Sequence, residues 1–305
     1  MKSESFDFYD RTVLKSYNLD ERMRDQLNAL GSLDVFTRKH CENVAAITCR
    51  LCEYLHCSKQ FTEYCTICAY LHDIGKIFIP PEVLQKPGKL TEEEYSIMKT
   101  HTTIGYNMCM KDPKLRPFVA GPCYHHEALN GSGYPRGLTI PYEGQIIRVA
   151  DEYDAIVSKR QYKSHVGISD TIKILIENAQ ANKSLNNGKL SKYGKNNPAI
   201  VKVLIKVVLD DIYYEIYCIQ EYMKYLNENI KRLENANKYY EKKQKSSSER
   251  KRQYFDEYMK MYLQNGENSE NFFNVYNEYL NAYNVKVAKI EHLNKEIKVI
   301  KKLKI

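Results

Sequence analysis

Apolar residues recur three or four positions apart over residues 37–55, 61–71 and 145–157. This spacing places the apolar side chains on one face of a helix, so it predicts an amphipathic helix in each segment. A similar pattern over residues 1–30 predicts a short helical lead-in. Alternation of apolar and polar residues, the signal of a half-buried strand, is nearly absent. We therefore predict an all-α fold.

Two further segments have local signals of their own. Thr91-x-x-Glu94 has the spacing of a capping box, in which each side chain satisfies a free backbone amide at a helix start. A helix is therefore predicted from this point, and it carries His101. The segment over residues 130–135 is too rich in glycine for a helix or a strand, and it predicts a loop.

Beyond about residue 200 the pattern changes to a heptad seam, with apolar residues alternately four and three positions apart. The first seam comprises Ile205, Leu209, Ile212, Ile216, Ile219, Met223, Leu226, Ile230 and Leu233. After a charged, serine-rich break over residues 242–252, a second seam comprises Phe272, Tyr276, Leu280, Tyr283, Val287, Ile290 and Ile297. Two seams predict a long helical hairpin or coiled-coil-like extension, buried within one chain or in a homodimer.

The composition limits the class of protein. The chain of 305 residues has a net charge of +8, which suits an anionic ligand but gives no reason to expect a DNA or RNA polymer as partner. No apolar run approaches the ~18 uncharged residues of a membrane span, and the first residues do not resemble a signal peptide. We therefore expect a soluble, cytoplasmic protein with no membrane association.

Nine cysteines, an odd number, argue against a complete disulfide framework. Two Cys-x-x-Cys pairs, Cys49/Cys52 and Cys65/Cys68, raise the alternative of a structural zinc site. Such zinc pairs usually occupy tight turns, whereas both pairs here lie within predicted helices. We therefore interpret them as small buried apolar residues.

Histidine and acidic residues concentrate in a few short segments. They are the adjacent pair His72 and Asp73, then His101, His125, His126, Asp151 and Asp154, with His40 upstream. Neutral imidazole and carboxylate together suit iron, manganese or zinc. An adjacent His-Asp pair can also place one carboxylate between two metals, so Asp73 is the predicted bridging ligand. These residues predict a dinuclear metal hydrolase.

An ordered set of motifs resembles the HD-GYP family, a branch of the HD-domain metal phosphohydrolases. The motifs are His72-Asp73-Ile74-Gly75-Lys76, Pro87-Gly88-x-Leu90-Thr91-x-Glu93, His101 with Gly105, His125-His126-Glu127, Gly131-x-Gly133-Tyr134-Pro135, Asp151-x-x-Asp154-Ala155 and Arg160-x-Tyr162-Lys163. The resemblance covers roughly residues 30–205. It implies a lead-in over residues 1–30, an HD-GYP helical bundle over 31–204 and a C-terminal helical extension over 205–305.

The resemblance implies a phosphodiesterase that hydrolyses cyclic di-GMP to linear pGpG, with GMP left open as a further product. The expected reaction is attack by a metal-bridging hydroxide. A related cyclic dinucleotide such as cGAMP is an open alternative, because the motifs do not identify bases. A non-catalytic sensor that binds cyclic dinucleotides is a second alternative, although every matched ligand is present.

The resemblance also implies how two divalent metals are held. One metal takes His40, His72 and Asp151, and the other takes His101, His125 and His126. Iron or manganese is expected, with zinc and nickel as alternatives. Some family members bind a third metal through a glutamate shortly before the first histidine. Residues 34–39 contain no glutamate, so two metals are favoured over three.

Asp73 and Lys76 are the predicted catalytic residues. Lys76 lies one helical turn past His72. Its ammonium is a point charge suited to bind a phosphate oxygen or to assist the leaving 3′ oxygen.

Other residues are predicted to contact the substrate. By resemblance, Arg160 and Lys163 contact the nucleotide phosphates, and Asp154 lies beside the metals, near substrate and solvent. Tyr134 is predicted to stack or to form a hydrogen bond near the opening. Glu127 is expected to orient a ligand histidine.

Overall fold

A computed structural model of the chain describes residues 35–158, 166–180, 185–186, 189–190, 193–264 and 266–304. Within these residues the regular structure is helical except for one short antiparallel ladder. In this ladder Leu185–Asn186 (β1) pairs with Lys189–Leu190 (β2). The predicted all-α fold is confirmed. The lead-in predicted over residues 1–30 lies outside the described residues.

Two long helices open the described chain, α1 (Val35–Tyr54) and α2 (Lys59–Leu71). Each begins two residues before its predicted start. Ser58 caps α2, because its side-chain oxygen accepts a hydrogen bond from the Phe61 amide at 3.2 Å. The two helices pack against each other, and α1 also packs against a later helix that carries acidic residues.

The Cys-x-x-Cys pairs lie on these helices as interpreted from the sequence. Cys49 and Cys52 on α1, and Cys65 and Cys68 on α2, are buried free thiols. Among the described residues, the groups of side chains close enough to hold a metal include none of these four.

The segment after α2 is a short 3₁₀ helix, Ile74–Phe78, followed by α3 (Pro81–Leu84). Gly75 in this segment packs directly on the next long helix, α4 (Glu92–Lys111). A Cβ at Gly75 would lie 2.0 Å from the carbonyl oxygen of His101. Only glycine therefore allows the 3₁₀ helix and α4 to approach this closely.

The predicted capping box begins α4. The Thr91 side-chain oxygen accepts a hydrogen bond from the Glu94 amide at 3.2 Å, and the Glu94 carboxylate accepts one from the Thr91 amide at 2.7 Å. A 3₁₀ turn, Arg116–Phe118, and the short helix α5 (Ala120–Tyr124) follow. These elements bring His101 and His125 towards the C-terminal end of α2.

Helix α6 (Tyr142–Val157) begins three residues before its predicted start, and α7 (Ile168–Ala179) follows it. Helix α6 packs against α1, α5 and α7. The face that it buries consists of Ile146, Ile147, Val149 and Ala150, and then Asp151 and Asp154. Two carboxylates are thus directed into the bundle, beside α1.

The chain divides into two compact units, Met1–Val208 with Leu303–Ile305, and Leu209–Lys302. The division falls within α8 (Pro198–Lys245), four residues from the boundary predicted between residues 204 and 205. The second unit continues with α9 (Glu249–Lys260) and α10 (Phe272–Ile300).

Within the second unit, α8 and α10 are antiparallel. Tyr225 contacts Tyr279 with ring centroids 6.3 Å apart, and Glu215 pairs with Lys289 at 3.2 Å. The predicted helical hairpin is confirmed, and seam residues such as Leu226 and Leu233 are buried within one chain. A homodimer is therefore not needed to cover them, and it stays a prediction.

The predicted break over residues 242–252 is shorter than expected. Only residues 246–248 separate α8 from α9, because the charged residues after them are helical. Met259 of α9 packs with Leu233, Ala236 and Phe272, so α9 contributes to the core of this unit. Among the described helices, none combines the length and the apolar character that a membrane span requires.

Candidate metal centre

Asp73 lies between two groups of histidines, and its two carboxylate oxygens face different groups. Its Oδ1 is 3.3 Å from Nε2 of His101 and 3.7 Å from Nε2 of His125. Its Oδ2 is 3.2 Å from Nε2 of His72 and 3.7 Å from Nε2 of His40. The carboxylate is thus arranged as a bridging ligand would be.

The potential ligands form two sets, and in each set the donor atoms lie within 4.8 Å of one another. One set is His40, His72 and Asp151, and the other is His101, His125 and His126. The chain therefore brings together all seven residues predicted to bind metal. A third set, Cys41 with His72 and Asp73, adds a buried thiol that the sequence analysis did not consider.

Backbone carbonyls fix three of the histidine rings. Nδ1 of His72 donates to the Ala69 carbonyl at 2.6 Å, that of His101 to Met98 at 2.6 Å, and that of His125 to Gly121 at 2.9 Å. A carbonyl oxygen can only accept, so Nδ1 carries the proton in each ring. Nε2 is then left with its lone pair, which is the form that binds a metal.

Two buried atoms at the centre have no hydrogen-bond partner among the described residues. They are Nε2 of His72 and Oδ1 of Asp73. An unsatisfied buried polar atom costs about 1–3 kcal/mol, so such atoms require a specific explanation. A divalent cation in contact with both atoms provides one. The donor set therefore fits a metal.

The electrostatics favour the deprotonated ligands. Burial lowers the pKa of all three histidines of the second set. The pKa of His101 lies below the ordinary 6.5, that of His125 lies well below it, and that of His126 falls to about 3. Burial alone would raise the pKa of Asp73, but the Lys76 ammonium holds it well below 3.8. Neutral imidazoles and an ionised carboxylate are the species that bind metal.

His40 differs from the other histidines. Burial alone would lower its pKa, but hydrogen bonds to Asp151 and Asp154 raise it to about 9. Its Nε2 lies 3.0 Å from Oδ1 of Asp151, and its Nδ1 lies 2.7 Å from Oδ2 of Asp154.

Asp154 lies beside the predicted metal ligands, as expected, but it is buried and not near solvent, and its contact with substrate stays a prediction. Its side chain is buried, and Oδ2 contacts His40. Its Oδ1 accepts hydrogen bonds from Asn43 and Ser158, both at 2.9 Å. Both oxygens are therefore engaged by the protein. Asn43 lies one helical turn after His40, and this spacing was the available signal for its role.

The remaining predicted residues have varied positions. The ammonium of Lys76 contacts Oδ2 of Asp73, and the lysine side chain is 13% exposed. Tyr134 stacks on His126 with ring centroids 4.6 Å apart. Glu127 accepts hydrogen bonds from the backbone of the following loop, where a contact with a ligand histidine had been expected. Arg160 and Lys163 lie outside the described residues.

The fold and the buried histidine–aspartate cluster define a metal-binding, all-α class of protein. Residues 23–183, more than half of the chain, match the family model described as HD domain, so the chain belongs to this family. The resemblance of its motifs to the HD-GYP branch agrees with this family, and several curated relatives that the chain matches are named cyclic dinucleotide phosphodiesterases.

Three relatives illustrate the similarity. The chain is 43% identical over 144 residues to the cyclic di-GMP phosphodiesterase of Thermotoga maritima, covering 45% of this chain and 39% of that protein. It is 36% identical over 173 residues to the cyclic di-GMP phosphodiesterase response regulator RpfG of Xanthomonas campestris. This match covers 53% of this chain and 46% of that protein. It is 31% identical over 154 residues to the 3'3'-cGAMP-specific phosphodiesterase 1 of Vibrio cholerae. This match covers 48% of this chain and 35% of that protein. The chain thus matches less than half the length of each relative.

Proposed function

We propose that this chain is a metal-dependent phosphodiesterase that hydrolyses cyclic di-GMP to linear pGpG, with further hydrolysis to GMP left open. The observation that carries the proposal is the position of Asp73, whose two oxygens face separate groups of metal-type side chains. The relatives named cyclic di-GMP phosphodiesterases support the substrate class.

The proposed cofactor is a pair of divalent ions, iron or manganese. Imidazole and carboxylate donors suit these metals, although zinc and nickel have overlapping preferences. The ions would be held in the two sets described above, with Asp73 shared between them. When bound, such a pair neutralises the charge of a phosphodiester and supplies an activated water.

The residues of the chain would prepare the reaction in three ways. Asp73 is ionised at neutral pH, so its carboxylate is available without loss of a proton. The carbonyl-bound rings of His72, His101 and His125 are held in one orientation before any ligand arrives, which avoids reorganisation during the reaction. Burial of these side chains excludes bulk water and strengthens electrostatic interactions at the site.

Lys76 is the proposed second catalytic residue. Its ammonium lies at Oδ2 of Asp73, beside the atoms where a scissile phosphate would bind. A partly exposed cation there would stabilise the negative charge that develops on the leaving 3′ oxygen. Arg160 and Lys163 are proposed, on the resemblance alone, to contact the nucleotide phosphates.

The test is chromatographic product analysis on metal-loaded, full-length protein. Cyclic di-GMP should be converted to pGpG, and the Asp73→Ala variant should leave it intact while retaining the helical circular dichroism of the wild type. A preparation that holds metal but leaves cyclic di-GMP unchanged would contradict the proposal.

A second substrate has support of its own. The similarity to a protein named 3'3'-cGAMP-specific phosphodiesterase makes this mixed dinucleotide the first alternative. The same assay, run in parallel on cyclic di-GMP and 3'3'-cGAMP at equal concentration, would separate the two by the ratio of their initial rates.

A further inference from the structure

His126 is held differently from the other histidines of the centre. In His72, His101 and His125 the Nδ1 atom donates to a backbone carbonyl, and in His40 it bonds to Asp154. Within the described part of the chain, neither ring nitrogen of His126 has such a bond, and its closest charged neighbour is Asp151, with Nδ1 3.9 Å from Oδ2. Hydrogen bonds therefore do not fix the orientation of this imidazole.

A tyrosine ring covers His126 instead. Tyr134 lies over it with centroids 4.6 Å apart and an interplanar angle of 25°. The Tyr134 ring also makes an edge contact with Tyr95 on α4, with ring centroids 6.4 Å apart. Burial raises the pKa of the Tyr134 phenol above its ordinary value, which agrees with a ring enclosed by protein. Tyr134 thus restricts the rotation of His126 by stacking.

The loop that carries Tyr134 is itself bound to the residues beside His126. The amide of Tyr134 donates to the His126 carbonyl at 3.2 Å. The fully buried carboxylate of Glu127 accepts from the Arg136 amide at 2.9 Å and from the Leu138 amide at 3.1 Å. Each oxygen of Glu127 therefore holds one loop amide.

The loop also packs at backbone distance. A Cβ at Gly133 would lie 2.4 Å from the backbone of Glu127 and of Ala128, so only glycine fits there. Arg148 on α6 donates to the Glu127 carbonyl at 2.9 Å, which holds the backbone of that residue as well. The position of the Tyr134 ring is thus determined by several independent contacts.

We propose that Tyr134 is a positioning residue for the metal ligand His126, and that Glu127 is the anchor that holds the Tyr134 loop in place. The inference rests on the proposed function only in taking His126 as a metal ligand. It replaces the predicted substrate contact of Tyr134 with a role in metal binding. Loss of the Tyr134 ring would weaken metal binding by the set of His101, His125 and His126. It would leave metal binding by the set of His40, His72 and Asp151 unchanged.

The experiment measures Mn²⁺ bound per full-length chain by equilibrium dialysis, with metal-free protein and no nucleotide. Wild type should bind two ions. Tyr134→Leu should bind one ion with roughly 10- to 100-fold lower affinity, which is the range typical of residues that orient metal ligands. Its affinity for the other ion should be unchanged. Tyr134→Phe keeps the ring and should bind as wild type does.

Glu127→Gln tests the anchor. A glutamine amide has one acceptor oxygen and one donor group, so it cannot accept from both loop amides. Glu127→Gln should weaken the binding of the same ion whose binding Tyr134→Leu weakens. His126→Ala should also weaken the binding of that ion. The double variant with Tyr134→Leu should lose no more affinity than His126→Ala alone. Should Tyr134→Leu fail to fold, Glu127→Gln compared with wild type carries the test.

Three results would overturn the inference. The first is that Tyr134→Leu or Glu127→Gln binds both ions with the affinity of the wild type. The second is an equal loss of affinity for both ions in a folded variant. The third is a loss of affinity in Tyr134→Phe as large as that in Tyr134→Leu. A chain that binds two ions and cleaves no dinucleotide would refute the proposed hydrolysis but not this inference, because the assay contains no substrate.

Discussion

His40 and Asp154 are joined across the bundle by a contact of 2.7 Å between Nδ1 of the imidazole and Oδ2 of the carboxylate. The two residues lie on α1 and α6, which pack against each other. Because Asp154 holds Nδ1, the opposite nitrogen, Nε2, is directed at Asp151 and Asp73. Asp154 is therefore placed to orient a metal ligand, the role that carboxylates often have beside metal-binding histidines.

Asp154→Ala should weaken the binding of one of two divalent ions by roughly 10- to 100-fold while the fold is kept, because His40 loses the acceptor that orients it. Isothermal titration of metal-free protein with Mn²⁺ measures this change. Asn43→Ala is the matched control, since it removes only one hydrogen bond to the other oxygen of Asp154 and should have a smaller effect. An Asp154→Ala variant that binds both ions normally but has a raised KM would instead indicate a substrate contact.

Gly75→Ala should lower the free energy of unfolding by about 3 kcal/mol or more, at the upper end of the overpacking range. The added Cβ would lie 2.0 Å from the His101 carbonyl oxygen and 2.6 Å from the Gly105 amide nitrogen, and neither backbone atom can move without shifting α4. Urea unfolding followed by circular dichroism measures the loss.

Gly88→Ala is the control for Gly75→Ala. Gly88 has a φ of +108° but open space around its Cα, so an added Cβ there strains only the local backbone. Its cost should be the smaller of the two. Equal losses at both positions would show that close packing against α4 is not the reason for glycine at position 75.

Glu267→Gln should lower the free energy of unfolding of the second unit by about 1–3 kcal/mol at pH 7, between the values typical of exposed and buried pairs. Arg232 binds this carboxylate through two contacts of 2.6 and 2.7 Å. Urea unfolding of the full-length chain measures the difference. Glu215→Gln removes an exposed pair, in which both side chains are 45% exposed, and should cost less.

The same pair predicts a pH dependence. The hydrogen bonds from Arg232 hold the pKa of Glu267 below its ordinary 4.5. A carboxylate whose pKa is lower in the folded state stabilises the protein above the unfolded-state pKa, and this stabilisation disappears as the pH falls through the folded-state pKa. The advantage of wild type over Glu267→Gln should therefore be constant near pH 7 and shrink below about pH 4.5. A difference that does not change with pH would contradict the ion-pair account.

The sequence was sufficient to predict α1, α2, α4, α6, α8 and α10 and the metal-type residues, but not α7. Helical periods, the Thr91–Glu94 capping box and the heptad seams are local signals, and each corresponds to an observed element. The histidines and acids were identifiable because their type and order resemble one family. Helix α9 was missed, because its charged residues have little apolar content to reveal a period.

The roles of residues around the ligands could not be predicted, because they depend on partners distant in sequence. Glu127 was expected to orient a histidine, and its acceptors were instead occupied by amides nine and eleven residues further on. Asp154 was expected near solvent, but it is buried, and its histidine partner lies 114 residues away on α1. A single sequence contains no direct signal for such pairings.

The measurement that tests the central claim most directly combines metal analysis and product identification on one preparation of the wild type and Asp73→Ala. The account predicts that wild type holds two divalent ions per chain and opens cyclic di-GMP or 3'3'-cGAMP, whereas Asp73→Ala remains folded, loses metal and produces no linear dinucleotide. Wild type that holds two ions but binds cyclic dinucleotides without turnover would contradict the account and favour a sensor. Hydrolysis by Asp73→Ala at the wild-type rate would show that the carboxylate between the histidine groups is not the centre of the reaction.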